Sequence, residues 1–352
     1  MRRNYRFTPA AALMMFLALL CGPEAAWSAP RADLERVELT AGNNSVANML
    51  TALAKLAGYY EEEGLEVGLN VANNNADGFS ALNSGKAIAT GGGATAPLNL
   101  IDEGVDFVII GGAMAEGATL FTLPQRAGEW EKIDADSVRG KKIGVTRAQS
   151  GDIAFRAALA RQGLDLKTME FVELGDCPTI IQGVLKGTLD AGIVFMTFRE
   201  AAEAQGLAPA LPIDRLAPGF ICCRVVTTRD YLEKYRPQLV KVLKAQIKAY
   251  RLYRTDQEKT LELLKEFIIV GDDVLRSQIY TYGHLTLTPN PAKSLIRNHY
   301  EGMKLIGYAK GTADLDRHID TGLFAEALES VLLEYPGDSV FLELKKDFEA
   351  TE

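Results

Sequence analysis

Cysteine and histidine are scarce in this chain, which carries four of the first and three of the second in 352 residues. Cys177, Cys222 and Cys223 form no CxxC and no Cys/His spacing, which excludes zinc modules and thioredoxin-like redox motifs. Their odd number points to buried free thiols, with a bond from Cys177 to Cys222 or Cys223 as the alternative. His284, His299 and His318 all fall in the C-terminal third, no HExxH or GxSxG occurs, and lone histidines on helices read as surface or core residues. Glu61 to Glu63 and Asp272-Asp273 lack metal-loop spacing. The glycines of "TGGGATAP" match neither GxGxxG nor a P-loop. No metal, no cofactor and no catalytic residue is expected.

Positive charge is also short: 38 Lys and Arg face 46 Asp and Glu, a balance that argues against nucleic acid as a partner. Long apolar runs are missing beyond residue 22, since even "VDFVIIGGAMAEGATLF" is broken by Gly and charge. The one apolar run, Ala10 to Gly22, follows Arg2, Arg3 and Arg6 and precedes the small-x-small site Ala26-Trp27-Ser28. That order is a secretory signal over residues 1–28, with the mature chain expected to start at Ala29 in the periplasm. Lipid attachment at Cys21 is the lesser alternative, because Leu20 sits where a lipobox wants a small residue. What remains exceeds what one core usually serves, so two domains are expected.

What the chain does have is a unit written twice. "LAGYYEEEGLEVGLNV" follows apolar residues at helical spacing from Val46 through Tyr60, then gives Gly64 as a left-handed stop and Val67, Leu69 and Val71 at strand alternation. The Glu61 to Glu63 run reads as the solvated end of that helix. "LARQGLDLKTMEFVEL" repeats the passage, with Gly163 in the place of Gly64. "RVELTAGNNSVANMLTALAK" returns as "KKIGVTRAQSGDIAFRAALAR", and "ALNSGKAIATGG" as "GVLKGTLDAGIVF". Strand, loop, helix, Gly stop, strand, loop, helix, strand is how a parallel α/β lobe is built. "ATLFTLPQ" and "GFICCRVVTTRDYLEKY" read as strands crossing between two lobes, and the pattern from Pro237 onward is helical. The expected lobes are 29–120 with 225–352, and 121–224.

Parallel sheets place ligands where strand-end loops open into helix N-termini. Those loops are "AGNNS", "ANNNAD", "TGGGAT", "TRAQSGD" and "FMTFRE", rich in Asn, Ser, Thr and Gly and suited to hold an oxyanion. They put Thr95 and Thr146 among the candidate ligand-binding residues. Arg147 could pair an anion or bridge to Asp152.

The segments "GYYEEEGLEV", "GFSALNSGKAIATGGGATAPL", "RGKKIGVTRAQSGD", "GVLKGTLDAGIVF" and "VVTTRDYLEKY" resemble the nitrate, sulfonate and taurine type of ABC-transporter substrate-binding protein, which includes thiamine-precursor binders. The resemblance implies an α/β fold of the type II periplasmic-binding kind. Two parallel-rich sheets flanked by helices would close like a Venus flytrap, with a helical C-terminal part. It implies a monomer that captures a small organic or oxyanionic solute and delivers it to a membrane permease and its ATPase. By position it places ligand contacts at Asn43, Asn44, Ser45, Asn74, Asn75, Gly92, Gly93, Gln149, Ser150, Met196 and Thr197. The chain departs from the pattern at "FMTFRE", where many relatives carry a Trp or Pro-Glu. Two rival readings are a thiamine-pyrimidine-synthase-like enzyme, for which Cys222-Cys223 is a poor stand-in for a cysteine run, and a solute-sensing module for a receptor. N-terminal sequencing of the exported protein should begin near Ala29; a chain starting at a lipid-modified Cys21 would overturn the signal reading.

Overall fold

The computed structural model describes residues 34–352 apart from Asn43, Asn73 and Ala148, together with all but the side chain of Asn75. The expected signal segment and the Ala29 start lie outside the described residues. Both copies of the repeated unit form the same structure. In the first, β1 (Glu35–Ala41) lies between β2 (Leu65–Val71) and β3 (Ala89–Gly93), all parallel. The second places β6 (Lys142–Thr146) between β7 (Glu170–Leu174) and β8 (Ala191–Phe195), again all parallel. Gly64 and Gly163 adopt φ of 77° and 80°, the left-handed stops that a side chain would strain.

The remaining strands exchange between the sheets. β4 (Phe107–Glu116) ends the first passage, Gly117 turns the chain at φ 84°, and β5 (Ala118–Thr122) enters the second sheet at once. After β9 (Ala208–Pro212), the chain returns as β10 (Ile221–Thr228), antiparallel to both β3 and β4. With β11 (Leu285–Leu287) the orders are β11-β4-β10-β3-β1-β2 and β7-β6-β8-β5-β9. The sheet change falls at Gly117 and between Pro212 and Ile221, a few residues before the boundaries expected at 120/121 and 224/225. Among the described residues no helix is long and apolar enough to cross a membrane.

Two local expectations are corrected. The helix expected from Val46 to Tyr60 is broken: Gly58 adopts φ 78° and separates the helices Met49–Leu56 and Tyr59–Glu62. The three glutamates are not uniformly solvated. The Glu63 side chain is 8% exposed and pairs with Lys244 at 3.0 Å and Lys248 at 2.7 Å, while Glu62 stays half exposed. Both lysines project from one face of the helix Arg236–Thr255, one turn apart, and both also reach Glu334 at 2.8 Å. Burial alone would lower the pKa of Lys248, but Glu334 and Glu63 outweigh it and hold the ammonium charged.

The helical tail does not pack on the first sheet alone. The helix Arg236–Thr255 lies against Met49–Leu56 and Thr321–Glu334, whereas Lys293–Leu305 packs on Ser150–Arg161, which belongs to the second copy. At that contact the Ser150 hydroxyl donates to the Cys222 carbonyl at 3.2 Å, Thr95 Oγ1 lies 3.3 Å from Ser150 Oγ, and His299 Nε2 lies 2.9 Å from Thr95 Oγ1. Burial first, then the charges of Arg224 and Arg161, push the His299 imidazole down to about 3. Asp152, also buried, moves the opposite way: burial raises its carboxyl to about 6 although Arg156 sits 2.6 Å away.

Glu63→Ala should lower unfolding stability by about 1.5 to 3 kcal/mol, the usual size for a hydrogen bond to a buried charge, because Lys248 loses one carboxylate; equal urea midpoints for variant and wild type would contradict this network. A second expectation concerns pH. His299 has a folded pKa below its unfolded value of 6.5, so its contribution is full above that pH and is lost as pH falls toward 3. Asp152 has a raised folded pKa, so its contribution is present below 3.8 and lost as pH rises through 6. The two offset each other in the wild type, and a variant separates them. Relative to His299→Gln, wild-type stability should grow by about 1.4 kcal/mol per pH unit between roughly pH 4.5 and 6.5 in urea titrations. A constant difference across that range would show that His299 titrates normally.

Candidate functional site

The strand ends of the two copies face a common cavity of about 210 Å³. The first copy contributes Ser45, Ala47 and Gly93; the second contributes Thr146, Gln149, Asp176, Cys177 and the segment Phe195, Met196, Thr197 and Phe198. Met114 of β4 and Cys222 and Cys223 of β10 complete the wall. Three helical N-termini open here. Ser45 precedes the helical run Val46–Asn48 and Met49–Leu56, Gln149 caps Ser150–Arg161, and Asp176 caps Cys177–Leu185. Gln149 holds extended backbone angles, its carbonyl accepts from Ile153, and its side chain makes no capping bond. Its carboxamide is a donor and an acceptor at the positive end of a helix.

Of the residues expected to bind ligand, Ser45, Gly93, Thr146, Gln149, Met196 and Thr197 line this cavity. Asn44, Asn74, Gly92, Thr95 and Ser150 do not line it, each for a physical reason. Asn44 donates to the Phe267 carbonyl at 3.1 Å. Asn74 is the N-cap of Asn75–Asn83 and accepts from the Asp77 amide at 3.0 Å. Gly92 is buried inside β3, opposite Arg224. Thr95 and Ser150 are committed to the buried bonds with His299 and Cys222. Asn43 and the side chain of Asn75 lie outside the described residues. Arg147 is highly exposed and reaches Glu173 at 3.7 Å, while Asp152 takes Arg156 instead.

The sequence reading missed Asp176, Cys177, Phe195, Phe198, Met114 and the Cys222-Cys223 pair. A signal for Asp176 was present, since it stands in the second copy where Asn74 stands in the first. Both accept the amide three residues on, with Asp176 taking Thr179 at 2.7 Å. All three cysteines are free, so no bond joins Cys177 to the pair. Burial pushes the Cys177 thiol up to about 11, and contact with Cys223 followed by burial raises Cys222 well above the ordinary thiol range. Both are protonated near neutral pH.

Electrostatics set this cavity apart from an oxyanion cage. Among the described residues that line it there is no Lys or Arg, and the charged group there is Asp176, a carboxylate held down by its bonds from Thr179. Arg224, next to Cys223 in β10, is fully buried. It donates to the carbonyls of Pro291 at 2.8 Å, Met114 at 3.0 Å and Cys223 at 2.7 Å, and burial lowers its pKa to about 10. Two of those carbonyls belong to cavity-lining residues, so Arg224 stiffens the wall without reaching a solute.

The profile of the family described as NMT1/THI5 like matches residues 43–260. A Brucella abortus protein provisionally named a binding protein is 23% identical over 280 residues, covering 76% of this chain and 80% of its own length. Solved structures share the fold at low identity. The periplasmic nitrate-binding protein NrtA from Synechocystis PCC 6803 superposes with TM-score 0.69 at 15% identity, over 91% of this chain and 99% of its own. The periplasmic aliphatic sulphonate-binding protein SsuA from Escherichia coli gives 0.67 at 17%, over 82% and 92%. The desulfurization enzyme DSZB gives 0.61 at 15%, over 84% and 100%. The match to more than half of its length, on a fold shared with periplasmic binding proteins, shows that the chain belongs to the NMT1/THI5 like family.

Proposed function

We propose that this protein is the solute-binding component of an ABC importer. On this reading it captures a small organic molecule between two lobes in the periplasm and delivers it, as a monomer, to a membrane permease driven by an ATPase. The lobes are 29–120 with 225–352, and 121–224, each ending near the sheet changes. The observation that carries the reading is the Gln149 carboxamide, which makes no capping bond and is set at a helix N-terminus in a cavity to which both copies of the repeated unit contribute. A site assembled from both sides of a two-sheet molecule binds solute best when the sides approach, and hinge motion is the default for lobes joined by two crossings. Kinship with NrtA and SsuA supports capture of a small solute, but the lining argues for a different one. Without a cation on the wall and with Asp176 at its edge, the cavity favours a neutral or basic organic molecule over nitrate or a sulfonate.

An enzyme of the DSZB kind finds less support. The cavity thiols Cys177 and Cys222 are held protonated, and among the described residues that line the cavity there is no histidine to act as base. A solute-sensing module would use the same closing site, and a permease and ATPase encoded beside this chain would decide for transport.

A thermal-shift panel of nitrate, alkanesulfonates, carboxylates and pyrimidines tests the preference. A bound solute at 100 times its Kd should add about 2.7 kcal/mol. Neutral or basic heterocycles are expected to give that shift and the oxyanions none; stabilisation by nitrate or sulfonate alone would overturn the assignment. With the solute so found, Gln149→Ala should weaken binding roughly two- to tenfold by calorimetry, the size of one neutral hydrogen bond, and Asn74→Ala should leave it unchanged.

A further inference from the structure

Cys222 and Cys223 are consecutive strand residues, and consecutive strand residues normally point to opposite faces of a sheet. Here both line the same cavity, with their sulfurs 3.3 Å apart. The cause is in the pairing of β10 with β4, where the register shifts between Ile221 and Cys223 and again between Cys223 and Arg224. Such a bulge re-aims a side chain that regular pleating would send to the other face. The peptide units around the pair are pinned as well. The Cys222 carbonyl accepts from the Ala94 amide at 2.8 Å and from Ser150 at 3.2 Å, and the Cys223 carbonyl accepts from Arg224. Cys177 lines the same cavity from the other copy, yet among the described residues no three Cys, His, Asp or Glu side chains cluster closely enough to hold a metal. The geometry thus offers two-thiol chemistry rather than a metal centre.

We propose that Cys222 and Cys223 are a redox-modification site on the cavity wall, a vicinal dithiol that a low-molecular-weight disulfide oxidises to a vicinal disulfide. One thiolate attacks the reagent RSSR, forming a mixed disulfide and releasing one RS⁻; the neighbouring thiolate then attacks the protein sulfur of that mixed disulfide and releases the second. The two cysteines are oxidised by two electrons, RSSR is reduced to two RSH, and the two thiol protons go to the leaving groups. The sulfurs close from 3.3 Å to a bond of about 2.05 Å. The ring so formed contains the Cys222–Cys223 peptide, whose carbonyl side is held by Ser150 of the second copy, so oxidation reshapes both the wall and the contact between the two copies. An exported chain would meet an oxidising compartment, where this chemistry is available. The proposal stands apart from the identity of the solute.

Trypsin places both sulfurs on one peptide, Leu216–Arg224, because the flanking cleavage sites are Arg215 and Arg224. The full chain is incubated for hours with oxidised glutathione, since the buried Cys222 thiol exchanges slowly, then alkylated with iodoacetamide, digested and weighed. The expected peptide carries no alkyl group and is lighter than its dithiol form by about 2 Da, the two hydrogens lost. Dithiothreitol before alkylation should return it with two alkyl groups. In Cys223→Ser the lighter peptide should be absent. A wild-type peptide that still takes two alkyl groups after the oxidant, keeps glutathione, or is linked to the peptide holding Cys177 would overturn the proposal, and the wild-type result decides even if the variant folds poorly.

Discussion

Everything in this molecule hangs on the exchange of antiparallel strands between its two sheets. A parallel β-β-β unit built from β2, β1 and β3 leaves the outer edge of β3 with unpaired amides and carbonyls, and the second copy leaves the same at β8. Neither edge is closed by its own unit. β10, arriving after the entire second copy, pairs with β3, and β5, leaving directly from the first sheet, pairs with β8. Each sheet is therefore completed by chain that has crossed from the other, and the two crossings keep the sets of strand ends facing one cavity.

The contact between the copies carries a consequence of that arrangement. Ser150, Thr95 and His299 come from a helix of the second copy, a helix after β3 and the C-terminal helical part, and they meet at the carbonyl of Cys222 on β10. All are buried, so each hydroxyl has to find its partner inside the protein. A polar network spanning three segments ties the copies together at this one contact with directional bonds that apolar packing lacks. Ser150 and Thr95, read from the sequence as ligand contacts, hold these buried bonds in the described structure.

The fold was legible because its signals are local and repeated. Gly64 and Gly163 mark helix ends by the one backbone conformation glycine adopts without strain, and the strands between them show period-two patterning. Part of the candidate cavity was legible by the same logic, since Ser45 and Gln149 stand at equivalent loop ends. What stayed hidden depends on pairing across long stretches of chain. The bulge that turns Cys222 and Cys223 to one side exists only in the register of β10 against β4, more than a hundred residues away in sequence. Glu63 reads as surface because its lysine partners lie on a helix near residue 246, and no local rule brings them together. The carbonyl partners of Arg224 could be named only once Met114 and Pro291 were in place.

The chemistry of the cavity wall follows from what each copy was free to change. Positions that face the other sheet are constrained by the exchange of strands, whereas the residues near the strand ends combine capping and packing roles with a face turned to the cavity. There the first copy keeps the hydroxyl of Ser45 and the bare backbone of Gly93, while the second sets a carboxamide, two hydroxyls, a carboxylate, a thiol, two aromatic rings and a thioether. Met114, Met196 and the three cysteines bring sulfur to the wall from both sheets and from β10. Sulfur is polarisable and a weak hydrogen-bond partner, so it rewards a flat or soft molecule through dispersion and does little for a hard anion. Helix N-termini would still attract negative charge, yet Asp176 occupies one of them with its own carboxylate and leaves the others to serve neutral acceptors. The scaffold is therefore shared with oxyanion binders while its surface chemistry points away from them, which is how one fold comes to carry different solutes.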